Sequence, residues 1–294
     1  MIRTTYVLAL AGVVCTLVAS GWLSRLDRTL PAPDGAVARG DPRVLSLVEA
    51  PFSSVDETYR TLRALEALFR ERGDRRAVFL TVYARVTREV AAGIERDTFE
   101  NPVWVADYLV TFANFYRRAL RDFEAGDVAS LPGAWRLFFR ATAAEDALVL
   151  QCALLGINAH VNYDLALALR AVGIRHNRAA KYADHRRING ILWRLVDETL
   201  NGLAETYAPG LAVVADAAGL LGERLWFLAL VVGREGAWWI AVTLVELRGD
   251  RLRGVVRRVM GWFSTAVAYA MLGPNGYPRL LGSLRRLEAM PPGR

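Results

Sequence analysis

The alternation of apolar and polar residues along the chain predicts helices almost throughout. From about residue 54 to residue 273, apolar side chains recur every three or four residues, which is the spacing of one helix face. Ser54 with Glu57 predicts a capping box that opens a helix through Glu71, and Asn101 before Pro102 predicts another helix start. No stretch alternates with period two for long enough to predict a sheet. We therefore expect an all-α fold, a single multi-helix orthogonal bundle around a central buried apolar helix.

The expected central helix covers residues 148–169, and Asp164 is the one charged residue in this range. Polar groups interrupt this run in one tight cluster, at residues 156–165. A helix that is apolar on nearly all sides is buried, and buried amides, imidazoles and carboxylates are costly unless they are satisfied. The polar cluster is therefore the first place to look for chemistry.

The last third of the chain predicts three further apolar helices between Pro209-Gly210 and Gly273-Pro274. The apolar runs 225–232 and 237–247 are each too short to span a bilayer. Arg234 and Glu235 lie between these runs. We interpret the runs as buried core helices, with Arg234 and Glu235 tying one helix to another.

Four segments are expected in all. Residues 1–24 form a hydrophobic signal or anchor segment, with no charge at residues 7–23, and residues 25–52 form a linker rich in Pro and Gly. An all-helical domain follows at 53–273, and a C-terminal tail at 274–294. The N-terminal segment predicts an exported or membrane-anchored protein, through a cleaved signal peptide or a short retained transmembrane helix. The alternative is a cytoplasmic protein with a soluble N-terminal helix.

Composition narrows the choice of partners. Hydrophobic residues make up 53% of the chain and the net charge is +7, but Lys181 is the one lysine and the arginines are scattered among acidic residues. No arginine-rich tract with interleaved aromatic residues occurs, which argues against nucleic acid and favours an anionic membrane surface over it. Cys15 and Cys152 both lie in apolar runs, so a disulfide framework and a cysteine metal site are excluded.

The polar cluster contains a histidine and a carboxylate with helical spacing. His160 and Asp164 lie four residues apart and share one helix face, while Asn158 and Asn162 share roughly the opposite face. A second polar segment places His185 beside Asp184. If the two segments meet, His160, Asp164 and His185 supply a catalytic site of two histidines and one carboxylate, which suits Zn or Fe as a metal cofactor.

Four further polar residues are candidates for lining a ligand pocket around this site, namely Asn158, Asn162, Asp184 and Asn189. Three interpretations of the central pair stay open. His160 and Asp164 can satisfy each other with a purely structural hydrogen bond. They can bind a metal ion, or they can perform acid–base chemistry without one. His176, between two arginines, is expected to be exposed.

The stretch from Leu154 to Leu165 resembles the bacterial and archaeal family catalogued as domain of unknown function 5995, and its Asn-Ala-His sequence is the most specific part. The resemblance covers residues 53–247. It includes segments 79–87 and 101–119 and the Asp184-His185 pair with Ile188-Asn189. It implies a single helical domain and no particular activity. A more distant similarity is to zinc-dependent phospholipases C and single-strand nucleases, but three histidines cannot build their three-metal cluster.

Two functions are consistent with these patterns. The first is a metal-dependent, hydrolase-like site in a buried His/Asp/Asn pocket, where the ion activates a bound water molecule. The second is a non-catalytic helical module that binds a small apolar or lipid-like molecule or a protein partner. The patterns do not decide whether the protein is an enzyme.

Overall fold

The computed structural model describes residues 40–143, 147–273 and 277–290. These residues form α-helices that pack against one another and contain no strand, so the predicted all-α fold is confirmed. The first six helices are α1 (Pro42–Val48), α2 (Val55–Glu71), α3 (Arg76–Glu95), α4 (Pro102–Glu124), α5 (Gly133–Ala143) and α6 (Val149–Ala159). The other six are α7 (Leu165–Val172), α8 (Arg178–Arg194), α9 (Val196–Thr206), α10 (Gly210–Glu246), α11 (Asp250–Met271) and α12 (Pro278–Glu288).

The predicted central apolar helix is formed by α6 and α7, joined by one π-helical turn at His160–Asp164. Helices α3, α5 and α11 pack on α6, and helices α4 and α10 pack on α7. The helix ends at Gly173, whose φ of 81° is readily adopted only by glycine. The apolar run is therefore central in the structure as well as in the sequence.

The buried apolar side chains form two clusters that meet at this π turn. The first cluster holds side chains of α1, α2, α3, α5 and α6 with the second half of α4. The second holds side chains of α7, α8 and α10 with the first half of α4. Ala159 belongs to the first cluster and Leu165 to the second, so the residues between them lie at the junction of two cores.

The predicted helix starts are confirmed. Ser54 caps α2 by accepting a hydrogen bond from the Glu57 amide, and α2 ends at Glu71. The carboxylate of Glu57 accepts hydrogen bonds from Ser53 rather than from the Ser54 amide. Asn101 is the N-cap residue of α4, with Pro102 in the first turn.

Two segments differ from the expected organisation. Helix α1 lies inside the segment expected to be linker, and it buries Val44 and Val48 in the first core cluster. Helix α12 lies inside the expected tail, with none of its side chains fully buried. Residues 1–24, expected to be a signal or anchor, lie outside the described residues.

The expectation of three helices between residues 210 and 273 is wrong, because the first two merge into the single helix α10. A helix continues through internal glycines such as Gly233 and Gly236 where tertiary packing supports it. Two segments are long and apolar enough to cross a membrane by length and composition, Val149–Val172 and Phe227–Glu246. The apolar window is 67% buried in the first segment but 33% buried in the second. The interpretation of residues 225–247 as buried core helices is therefore also wrong in part, because many of these residues are not buried.

Candidate functional site

The π turn at His160–Asp164 places the two predicted polar residues inside the protein. Both side chains are almost fully buried, with 3% of each exposed. A π turn inserts one extra residue into an α-helix, weakens its regular hydrogen bonding, and is found frequently at functional sites. No sequence pattern predicted this turn. It is the first sign that the polar cluster does more than fill the core.

His160, Asp164 and Trp135 form one hydrogen-bonded chain. The indole Nε1 of Trp135 donates to Oδ2 of Asp164 over 2.9 Å, and the same oxygen lies 3.0 Å from Nδ1 of His160. An indole N–H can only donate, so Oδ2 acts as an acceptor in this chain. Oδ2 can then accept from His160 only if Nδ1 carries the proton. This network assigns the imidazole proton to Nδ1 and the free lone pair to Nε2.

Five aromatic side chains surround the imidazole and are here called the aromatic cluster. The ring of Phe112 stacks on His160 with a centroid distance of 3.5 Å and an interplanar angle of 7°. The Tyr83 ring lies edge-on, 4.8 Å from the same centroid. The other members lie 5.9 to 6.4 Å away, and they are Phe79, Tyr116 and Trp135.

A glycine makes this packing feasible. The Cβ of any residue at position 156 would lie 2.4 Å from the ring atoms of Phe79. Only glycine lets the α6 backbone approach that ring so closely. Gly156 therefore helps to hold the aromatic cluster against the histidine that follows it by one turn.

Two polar atoms in this apolar environment have no hydrogen-bond partner among the described residues, the Nε2 atom of His160 and the hydroxyl of Tyr116. Buried polar atoms are nearly always paired, because an unpaired one loses its hydration without compensation. The two atoms differ in kind, since Nε2 is an acceptor and the tyrosine hydroxyl can donate. The centroids of the two rings that carry these atoms lie 6.4 Å apart.

Burial sets the protonation states of the site. Desolvation lowers the pKa of His160 below its ordinary value of 6.5, although Asp164 opposes this with its hydrogen bond and charge. Desolvation raises the pKa of Asp164, against the hydrogen bonds from His160 and Trp135. It also raises the pKa values of Tyr83 and Tyr116. At pH 7 the imidazole is therefore neutral and both tyrosine hydroxyls keep their protons.

His185 lies in a different network, in which both of its ring nitrogens have partners. Its Nε2 lies 3.2 Å from the backbone oxygen of Arg234, and its Nδ1 lies 3.1 Å from the hydroxyl of Tyr108. A carbonyl oxygen only accepts, so the proton of His185 is on Nε2. Desolvation and the charge of Arg234 lower the pKa of His185 well below 6.5. This histidine ties α8 to α4 and α10.

The other residues of the second polar segment also connect helices. Oxygen atoms of the buried Asp184 carboxylate accept hydrogen bonds from the amides of Glu100 and Asn101, each over 2.8 Å. Asp184 thus caps the start of α4 from a distant helix. Asn189 accepts a hydrogen bond from Nε of Arg234 over 2.6 Å. Both side chains are therefore engaged with protein groups, and Asn189 also lines a surface cavity between α8 and α10.

The asparagines of the central helix join it to the last long helices. Asn158 donates to the backbone oxygen of Ser264 in α11, and Asn162 donates to Asn158, each over 2.8 Å. A Cβ at Gly233 would lie 2.8 Å from Oδ1 of Asn162, so α10 approaches the π turn closely. Arg234 and Glu235 tie α10 to α8 as expected, through bonds to His185 and Tyr182 rather than to each other.

The structure does not assemble the predicted metal ligands. Asp164 contacts His160, but His185 bonds instead to Tyr108 and Arg234. Within the described part of the chain, no three or more His, Cys, Asp or Glu side chains form a group that could hold a metal ion. The described residues therefore bring His160 and Asp164 together in an aromatic environment, and His185 lies in a separate network. His176 is exposed, as expected.

The aromatic members of the site were not predicted from the sequence. Phe112 and Tyr116 lie in α4, Tyr83 in α3 and Trp135 in α5, so no short motif groups them. One signal was available, since Tyr108, Phe112 and Tyr116 recur at intervals of four residues along α4. This spacing predicts a row of rings on one face, but not which buried group the row would meet.

Comparison with known proteins shows one relationship. A family model described as "Family of unknown function (DUF5995)" matches residues 55–274. This match extends past residue 247, where the resemblance seen in the sequence ended, and it includes α11. Neither a curated protein nor a solved structure matches the chain.

Proposed function

We propose that this chain, which belongs to the DUF5995 family of unknown function, uses Nε2 of His160 to accept a proton. The proton comes from a small, largely apolar molecule that carries a hydroxyl group. The observation that carries the proposal is the buried Nε2 atom without a partner, beside an Nδ1 atom held by Asp164. Such an unpaired atom costs about 1–3 kcal/mol of folding free energy. A bound hydroxyl group removes this cost.

The proton acceptor is oriented as in general-base catalysis. Asp164 keeps the proton on Nδ1, Trp135 holds Asp164, and the lone pair of Nε2 remains available. When Nε2 takes up a proton, the adjacent carboxylate stabilises the resulting imidazolium. Acceptance of a proton from a water molecule would make the reaction hydrolytic. The pair needs no third protein ligand for this chemistry.

The aromatic cluster determines what kind of molecule fits. Its rings offer flat apolar surfaces, and the hydroxyl of Tyr116 supplies a donor with no other partner. A phenol or a similar alcohol would donate to Nε2 and accept from this hydroxyl. Phe112 stacks on His160 and is itself partly exposed. The proposal requires this ring to turn aside when a molecule reaches the imidazole.

A second function, binding without catalysis, is favoured by the scarcity of other polar groups. Apart from Asp164 and the tyrosine hydroxyls, the side chains around His160 are apolar or aromatic. The aromatic cluster contains no serine, threonine or cysteine. The buried Cys152 lies outside the cluster, and desolvation raises the pKa of its thiol to about 12, which makes it a poor nucleophile. A site of this kind can hold a hydroxyl compound and leave it unchanged.

Phenol binding and p-nitrophenyl acetate hydrolysis test both functions on the full chain. We expect phenol to change the tryptophan fluorescence, and His160→Gln to weaken its binding about tenfold or more, as for loss of a buried hydrogen bond. His185→Gln is the matched control and should leave phenol binding unchanged. Hydrolysis that His160→Gln abolishes would support the catalytic function, while binding without hydrolysis would support the second one. Equal effects of the two substitutions, or no phenol binding by the parent protein, would contradict the proposal.

A further inference from the structure

Helix α11 carries an exposed apolar stripe that the buried site does not explain. Leu252, Val255, Val259 and Trp262 are spaced three and four residues apart, which places them on one helix face. Their exposed fractions are 54%, 45%, 58% and 64%. The opposite face holds Met260 and Ser264, both buried against the rest of the protein. Four adjacent large apolar residues at this level of exposure mark an interaction surface.

Basic residues border the apolar stripe. Arg251 and Arg258 lie seven residues apart beside it, both are exposed, and neither forms an ion pair with an acidic side chain of the described residues. Residues 248–290 contain eight arginines and two acidic residues, a net charge of +6, whereas the whole chain carries +7. Nearly all of the excess positive charge is therefore concentrated around this stripe and in helix α12.

We propose that the apolar stripe of α11 and its flanking arginines dock the protein onto an anionic lipid bilayer. Interfacial helices combine these features, with apolar side chains and tryptophan that enter the acyl boundary and arginines that bind lipid phosphates. Arginine side chains are long enough to place their charge at the headgroups while their stems cover apolar surface. Leu228 and Val232 of α10 are exposed as well.

Two other occupants of this surface, a second copy of the chain and a nucleic acid, fit its charges and apolar side chains less well. A second copy of the chain in a symmetric dimer would bring the same arginines face to face, and like charges repel. A nucleic acid would pair with the arginines but would leave Leu252, Val259 and Trp262 against water. An anionic bilayer satisfies both the charges and the apolar side chains.

Tryptophan quenching in vesicles locates the docking surface. The full chain is mixed with phosphatidylcholine vesicles, with or without phosphatidylglycerol, whose acyl chains carry bromine as a quencher. We expect quenching only with phosphatidylglycerol present, and Trp262→Phe should remove most of it while the protein stays bound. Trp193→Phe is the matched control, because Trp193 is 44% exposed on α8 and packs on Phe227 of α10 rather than belonging to the stripe. The measurements use a Trp22→Phe background, because Trp22 lies within residues 7–23 and would be quenched if that segment inserted into the bilayer. Quenching that survives Trp262→Phe in this background would overturn the proposal.

Charge reversal tests the electrostatic part separately. Arg251→Glu with Arg258→Glu should lower the partition coefficient onto anionic vesicles at least about tenfold, since each basic residue near such a surface contributes to binding. Arg60→Glu with Arg70→Glu, on the exposed side of α2, changes the net charge equally and should have a smaller effect. Equal losses in both double variants, or a dimer in sedimentation experiments that Trp262→Ser dissociates, would overturn the proposal.

Discussion

His160 and Asp164 face each other across a single π turn, with Nδ1 of the histidine 3.0 Å from Oδ2 of the aspartate. Trp135 donates to the same carboxylate oxygen, and the remaining nitrogen of His160 has no hydrogen-bond partner in the described part of the chain. His185, equally buried, has partners for both nitrogens. The two histidines that look alike in the sequence therefore have different roles. One offers a lone pair, and the other joins helices.

The two buried histidines should be opposite tautomers. At pH 7 we expect His160 to carry its proton on Nδ1, because Asp164 accepts there, and His185 to carry it on Nε2, because the Arg234 carbonyl accepts there. Nitrogen-15 NMR of the imidazole rings distinguishes a protonated from a bare nitrogen. Identical tautomers would contradict the networks described above. His176, exposed in a turn, serves as the internal reference.

Stability should fall as the pH drops below about 6.5. Burial lowers the folded-state pKa of both His160 and His185 below the ordinary value of 6.5, so the unfolded chain binds protons that the folded chain does not. Stability is therefore fully present above pH 6.5 and is lost as the pH falls toward the folded-state pKa values. The loss approaches about 1.4 kcal/mol per pH unit for each histidine.

Urea denaturation at several pH values between 7 and 5 measures this slope. The variant His185→Gln should show roughly half of the parent's dependence, because His160 alone then remains. The raised folded-state pKa of Asp164 acts with the opposite sign, since that contribution grows as the pH falls. A free energy of unfolding that does not fall over this interval would contradict the prediction.

Removing one partner of the central pair should cost more than removing both. His160→Leu leaves the buried Asp164 without its hydrogen-bond partner, and we expect the free energy of unfolding to fall by about 3–5 kcal/mol. Combining His160→Leu with Asp164→Leu removes the stranded carboxylate and should recover part of the loss, although Trp135 then lacks an acceptor. Strictly additive effects of the two substitutions in denaturant titrations would contradict the coupling.

Glycines on two helices should respond oppositely to alanine. Gly156→Ala places Cβ within 2.4 Å of the Phe79 ring, so we expect a loss of about 1–3 kcal/mol despite the better helix propensity of alanine. Gly236→Ala, within α10, meets nothing within 4 Å and should gain about 0.5–1 kcal/mol. Thermal denaturation of both variants gives the comparison. A stabilised Gly156→Ala variant would mean that the aromatic cluster can move away from α6.

Much of the fold was predictable because local physics determines it. The spacing of apolar residues specified the helices, and Ser54 and Asn101 specified the starts of α2 and α4. The low polarity of residues 148–169 specified which helix would be central. The continuity of α10 through Arg234 and Glu235 was not predictable, because it depends on bonds that these residues make with α8.

The sequence by itself determined the all-α class, the buried central helix and the pairing of His160 with Asp164, since residues four apart on a helix meet wherever the helix lies. Only the tertiary structure decided what each of them meets across the core. It brought Trp135 to the carboxylate, stacked Phe112 on the imidazole, and sent His185 to Tyr108 and Arg234. Such contacts join residues far apart in the chain, and the packing of whole helices sets them rather than any local spacing.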